Sequence, residues 1–296
     1  MNHTAILKRA WEITRRHRAL WLFGFVLALF SGGGGAGGGQ GAQYAMDGGQ
    51  RINPALILLI VAAVMLFVGL LILLGIALSY TSRGALIGMV REVEETGETS
   101  VSSGWRMGWS RFLRLFAIDL VIGIPAAIVT LVLLALGLSP LLLFFVGERA
   151  TNILAIVLTV VLMLLVIGVL IIMGVGLSIL GELAQRRYVL DGKGVLDSIR
   201  EAYSVARQNL KDVGVTWLLL LAVDIGVGIV LGPIALVLFG AAAVPGILAY
   251  LATEAAAPTI VVSIPAVLLA VVIMAILGAI HQVFRSTVWT LTYREL

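Results

Sequence analysis

Cysteine is absent from the 296-residue chain, which excludes disulfides, thiolate metal centres and cysteine nucleophiles. Charge is scarce as well. Asp, Glu, Lys and Arg make up 12% of residues, against about 25% in soluble domains. The three histidines, His3, His17 and His281, show no ligand spacing to one another or to carboxylates, so no metal site is expected. No Ser-His-Asp or paired-carboxylate arrangement stands out as a catalytic set. The glycine tract Gly32 to Gly39, interrupted only by Ala36, has no Lys-Ser or Lys-Thr ending and no preceding strand. It is therefore not read as a phosphate loop. These absences lead us to expect a non-enzymatic protein without cofactor or metal and without a nucleic-acid partner.

What the chain has in quantity is apolar sequence: 60% hydrophobic residues and a mean hydropathy of +1.10. Several runs exceed the ~18 residues that mark a membrane span. The expected fold is all-α, a polytopic integral membrane protein of six transmembrane helices. The spans are Ala19 to Phe30, Pro54 to Tyr80, Leu115 to Leu138, Asn152 to Leu180, Val213 to Phe239 and Pro258 to Ile280. The first is the weakest, since its length covers only about 18 Å as a helix. Its basic flank also has the outline of a secretory signal, but we read it as a span. Residues 31–53 read as a Gly-rich extracytoplasmic loop. Pro140 to Val146 and Pro245 to Leu251 are too short to cross and read as surface or re-entrant pieces, each broken off by its proline.

Basic residues set the orientation. Of the 20 lysines and arginines, all but Arg51 and Arg149 precede the first span, follow the last, or lie in the two long loops between spans two and three and between four and five. The positive-inside rule then places both termini and those loops in the cytoplasm. All six tryptophans fall at or beside that same face.

The cytoplasmic segments carry helical periodicity. Apolar residues recur at Trp105, Trp109, Phe112 and Phe116, leaving Arg106, Arg111 and Arg114 for other faces; the second loop repeats this with Ile199, Ala202, Tyr203 and Ala206 against Arg200 and Arg207. Both fit amphipathic helices lying among lipid headgroups, with Ser102 or Ser103 and Asp197 or Ser198 as N-caps. The residues expected at headgroup level are Trp11, Trp105, Trp109, Arg106, Arg111, Arg114, Tyr203 and Arg207.

Internal similarity points to a repeat. Ala117-Ile118-Asp119 with Gly123 and Pro140 recurs as Ala222-Val223-Asp224 with Gly228 and Pro245 at one constant offset. Ala10-Trp11, Ile13 and Arg15 match Ala202-Tyr203, Val205 and Arg207 in the same way. The expected unit is an interfacial helix plus a transmembrane hairpin, three times over, at about 1–96, 97–192 and 193–296.

The helix opening Ala10-Trp11-x-Ile13-x-Arg15, the six spans and the stretch Gly97 to Val101 resemble a bacterial group. This is the membrane domain of some glycerophosphodiester phosphodiesterases and of related six-span families. The soluble catalytic domain of those enzymes has no counterpart here, so the resemblance implies a membrane domain, in a bacterial cytoplasmic membrane, and no activity.

Two carboxylates, Asp119 and Asp224, fall inside apolar runs, where an ionised group is costly and needs a partner. One reading is a proton or cation relay; the other is local pairing with Arg111, Arg114, Lys211 or backbone. Glu92, Glu94, Glu95 and Glu98 read as a solvated helix end closed by Gly97 rather than as a cation site. The GxxxG pairs Gly84–Gly88 and Gly228–Gly232 read as close helix packing. The function expected is an accessory, scaffold or lipid-organising subunit whose partners are the lipid bilayer and a membrane-protein complex or homo-oligomer. The alternative is a transporter or channel using Asp119 and Asp224.

Overall fold

A computed structural model describes residues 1–31, 54–146, 149–253 and 256–296. Apart from Ser31, the segment read as a Gly-rich loop lies outside them, as do residues 147–148 and 254–255. The described residues are helical almost throughout and contain no strand. In chain order the helices are α1 His3–Arg16, α2 Ala19–Ser31, α3 Pro54–Thr96, α4 Val101–Trp109, α5 Phe112–Leu138, α6 Arg149–Asp191, α7 Val195–Gln208, α8 Leu210–Thr253 and α9 Ala256–Glu295, with a 3-10 segment at Ser139–Val146. Five helices, α3, α5, α6, α8 and α9, are long and apolar enough to cross a membrane. That fits a membrane-embedded protein. Helix α2, with 13 residues, is not in that class.

The helix boundaries follow local chemistry. Asn2 caps α1, its side chain accepting from the Ala5 amide at 3.2 Å. Arg15 and Arg16 complement the dipole in the last turn. Gly97 and Gly192 end α3 and α6 at φ +78° and +69°, the left-handed region that favours glycine, and their amides return to Val93 and Tyr188. Helix α4 starts two or three residues earlier than the spacing predicts, because Ser100 takes the cap and accepts from the Ser103 amide. Ser103 is then free to bond elsewhere. At α7 the cap residue is Gly194, and Asp197 stands inside the first turn instead of before it.

One expected break is missing. The first proline-led piece is a separate element, the 3-10 segment, but α8 runs unbroken through Pro233 and Pro245 to Thr253. Each proline deletes one backbone hydrogen bond. Unwinding in an apolar environment would strand several more without water to satisfy them, so continuing the helix is the less costly outcome.

The chain divides into two compact units. Residues 1–113 with 218–295 form one, and residues 114–217 form most of the other. In the first, α2 packs along α9 and α3, α1 lies on α9, and α4 lies on α3. Helix α3 changes character along its length. Leu58, Met65, Leu66 and Phe67 stand 62–75% exposed, whereas Leu86, Ile87, Met89 and Val90 are buried with Ile13, Phe23 and Trp289. Forty-three residues make a helix of about 65 Å, twice the ~30 Å hydrocarbon thickness. Hydrocarbon can cover the first stretch; the second must bury its apolar face against protein. Trp289, 1% exposed, is thus a core residue and not part of an interfacial belt. In the second unit, α7 and the 3-10 segment both pack on α6.

Glycine sets how close α4 comes to α3. A Cβ at Gly108 would run into the Thr81 carbonyl, one at Gly104 into the Met89 sulfur, and one at Gly88 would lie 2.9 Å from the Met107 sulfur. Close packing at Gly88 was legible as a GxxxG pair, while the Gly104–Gly108 pair across from it was not singled out. A Cβ at Gly228 or Gly232 would meet nothing within 4 Å among the described residues, so that pair supports no close helix approach there.

Candidate functional site

Asp224 lies about a third of the way along the apolar helix α8, and α9 supplies its partners. His281 Nε2 is 2.8 Å from Asp224 Oδ1, and Arg285 Nη1 is 3.5 Å from Oδ2. His281 and Arg285 are four residues apart, so one face of α9 presents both to the carboxylate. With the carboxylate ionised, the Nε2–H tautomer donates to it. The Arg285 guanidinium compensates the charge, and its buried Nε has no hydrogen-bond partner among the described residues. In the sequence His281 looked isolated from any carboxylate. The antiparallel course of α8 and α9 brings it to one 57 positions away.

Asp119 on α5 accepts a hydrogen bond of 2.7 Å from Gln185 Nε2 on α6, and Gln185 is buried. The two aspartates share a local rule: each takes a side chain from the following long helix within its own compact unit. The partners differ, a neutral amide for Asp119 and an imidazole with a guanidinium for Asp224. Neither Gln185 nor Arg285 was anticipated. A register argument could have found Arg285: it stands one helical turn beyond His281 on α9, on the face that meets Asp224.

Beside Asp224 and His281 runs an apolar groove of about 460 Å³. Val223, Gly226, Val227, Val230 and Leu231 of α8 form one wall, and Leu277, Ile280, His281 and Phe284 of α9 the other. Trp11 of α1 closes one end, packed edge-on to Phe284 with ring centroids 6.3 Å apart. The wall residues follow i, i+3, i+4, i+7 spacing on both helices, so they are two facing helical stripes.

The surface helices present aromatic faces outward. Trp105 and Trp109 are about half exposed and stack at 5.9 Å with planes 13° apart; Phe112 continues the row, 5.2 Å from Trp109. Arg106, Arg111 and Arg114 make no ion pair with any described residue. Trp11 and Tyr203 are 54% and 60% exposed, and Arg207 is exposed beside Tyr203's face. Trp21, by contrast, turns inward and donates to the Thr14 carbonyl at 2.7 Å.

The acidic cluster at the end of α3 is consumed by pairing. Glu92 accepts from Thr99 and Ser103, Glu94 pairs with Arg9 across helices at 2.9 Å, and Glu95 pairs with Arg91. His17 extends the junction, its Nε2 lying 3.2 Å from the Gly97 carbonyl. Among the described residues no group of His, Asp and Glu could hold a metal ion.

Comparison with known proteins returned no curated relative and no similar solved structure. A family model does match, over residues 7–292 and so nearly end to end. The chain belongs to that family, DUF7544, a family of unknown function.

Proposed function

We propose that this protein is a non-enzymatic integral membrane protein that organises lipid around itself as an accessory or scaffold subunit. It spans the membrane six times, α2 completing the first crossing, with both termini on the cytoplasmic side. Three units, each a surface helix followed by two apolar helices, build it: α1 with α2 and α3, α4 with α5 and α6, α7 with α8 and α9. The observation that carries the reading is the outward face of α4. Exposed Trp105 and Trp109, stacked and continued by half-buried Phe112 at the start of α5, with Arg106 and Arg111 making no ion pair with a described residue, have the composition that holds a helix among anionic headgroups. Its inward face is glycine, which fastens the helix close to α3 and leaves the aromatic row standing out.

The test is lipid enrichment around the protein in vesicles of phosphatidylcholine with a minor fraction of fluorescent phosphatidylglycerol. Wild type should gather phosphatidylglycerol several-fold above bulk, and salt should weaken this. Arg106→Gln, Arg111→Gln and Arg114→Gln together should return it to bulk. Equal labelling around wild type and the triple variant would overturn the proposal.

The alternative, a proton- or cation-coupled transporter, draws support from the Asp224–His281 contact, since a carboxylate–imidazole pair in an apolar helix has the chemistry of a proton relay. Same-sense repeats are also compatible with transport. A proton current in reconstituted vesicles, lost in Asp224→Asn with folding intact, would favour it over the first reading.

A further inference from the structure

We infer that the groove between α8 and α9 seats one acyl chain of an anionic phospholipid, whose headgroup lies against Lys8 and Arg15 of α1. The inference rests on the lipid-organising reading and gives it a specific bound ligand.

The walls belong to two helices apolar enough to cross a membrane, so whatever fills the groove is drawn from the hydrocarbon phase. Its polarity is arranged at one end. Trp11 packs on Phe284 and His281 meets Asp224 at one end of the groove, so Trp11 and His281 mark a polar mouth and the other lining residues form hydrocarbon wall. From Val223 to Leu231 the groove is about 12 Å long, most of the ~15 Å depth of one leaflet. That is the span of a chain hanging from the headgroup layer, and a polar solute would find almost nothing to bond along it.

Charge at the mouth selects the headgroup. Lys8, Trp11 and Arg15 share one face of α1, at i−3, i and i+4, and all three are exposed. Neither Lys8 nor Arg15 pairs with any described residue. Nearby Asp224 is compensated by His281 and Arg285, so two uncompensated cations flank the tryptophan that closes the groove. Two turns apart on that face, about 10 Å along the helix, they are the cations that a headgroup phosphate at the mouth would meet.

Gly226 makes the proposal testable. It lines the groove, and a Cβ there would meet no atom within 4 Å. Gly226→Leu should therefore fill the groove without straining the helix. The full chain is reconstituted in nanodiscs of equal parts phosphatidylcholine and phosphatidylglycerol, and retained lipid is read by native mass spectrometry. Wild type should keep one phosphatidylglycerol; Gly226→Leu should lose it with an unchanged melting temperature. Lys8→Gln with Arg15→Gln should keep a lipid but lose roughly thirtyfold in preference for phosphatidylglycerol, from ~1 kcal/mol for each cation. Retention by Gly226→Leu equal to wild type overturns the groove, and an unchanged preference in the Gln variant overturns the headgroup assignment. A benzophenone on Leu231→Cys, unique in this cysteine-free chain, gives an answer independent of the Gly226 variant's folding. It should capture an acyl chain, and capture of a second copy of the chain instead would overturn the proposal. Loss of salt-sensitive enrichment around α4 with the single lipid retained would sink the broader reading and leave this one. The reverse result would do the opposite.

Discussion

His281 Nε2 rests 2.8 Å from Asp224 Oδ1, joining α8 to α9 within their apolar stretches. The contact fastens two helices at a point where a lone carboxylate would be costly. Its energetic weight should be small. Asp224→Asn and His281→Gln should each destabilise by about 1 kcal/mol or less, with a coupling near the ~0.6 kcal/mol typical of intramembrane polar contacts. A double-mutant cycle on the reconstituted protein measures it. Strictly additive single effects would mean that the contact contributes nothing.

Gly108 and Gly123 offer a paired test of the α3–α4 packing. At Gly108 a methyl group meets the Thr81 carbonyl, which is backbone and cannot swing aside; at Gly123 it meets open space. Gly108→Ala should cost ~1–3 kcal/mol, as overpacking does. Gly123→Ala should be neutral or stabilise by up to ~1 kcal/mol through helix propensity. Unfolding of the two variants side by side decides it, and equal effects would remove α4 from the face of α3.

Glu201 supplies the pH dependence. Lys193 and then Arg187 hydrogen-bond its carboxylate and hold it below the usual carboxylate range, against a smaller opposing desolvation. A lowered folded-state pKa means stability fully present above the unfolded value and lost as pH falls through the folded one. The tie from α7 to the end of α6 should therefore hold at neutral pH, weaken below about 4.5, and be absent once the pH passes beneath the depressed value. A spin label on exposed Ser204→Cys should gain mobility over that window, and Glu201→Gln should show the mobile spectrum already at neutral pH. A flat profile in the wild type would refute this.

Orientation can be read by labelling, since the chain has no cysteine of its own. Cysteines at Ser139 and Thr253, both exposed at the ends of apolar stretches, should react with an impermeant reagent from outside. Those at Glu95, Lys193 and Glu295 should not. External labelling at Lys193 would reverse the topology.

Much of this was legible in the sequence because it depends on one-dimensional quantities. Apolar run length predicts the long helices, since a helix satisfies its own backbone and needs only composition to enter lipid. Local spacing predicts the surface helices at Trp105 and Ile199, and Gly97 announces the end of α3 because only glycine sits easily at φ +78°. Proline misled at Pro245: its local cost is real, but the surroundings decide whether a helix breaks there.

What only tertiary structure decided is which distant residues meet. Asp119 was legible as needing a partner; that the partner is Gln185 depends on the rotation of α5 against α6, which no periodicity encodes. His281 looked solitary for the same reason, and Trp289 looked interfacial, yet it is buried on α9, the helix that α1, α2 and α3 pack against. The groove is the clearest case. Its two stripes, Gly226 to Leu231 and Leu277 to Phe284, are ordinary apolar sequence taken singly, and only their antiparallel pairing beneath Trp11 makes them a site. Composition and spacing fix what each helix is, whereas side-chain packing between helices fixes which face each one turns to its neighbour.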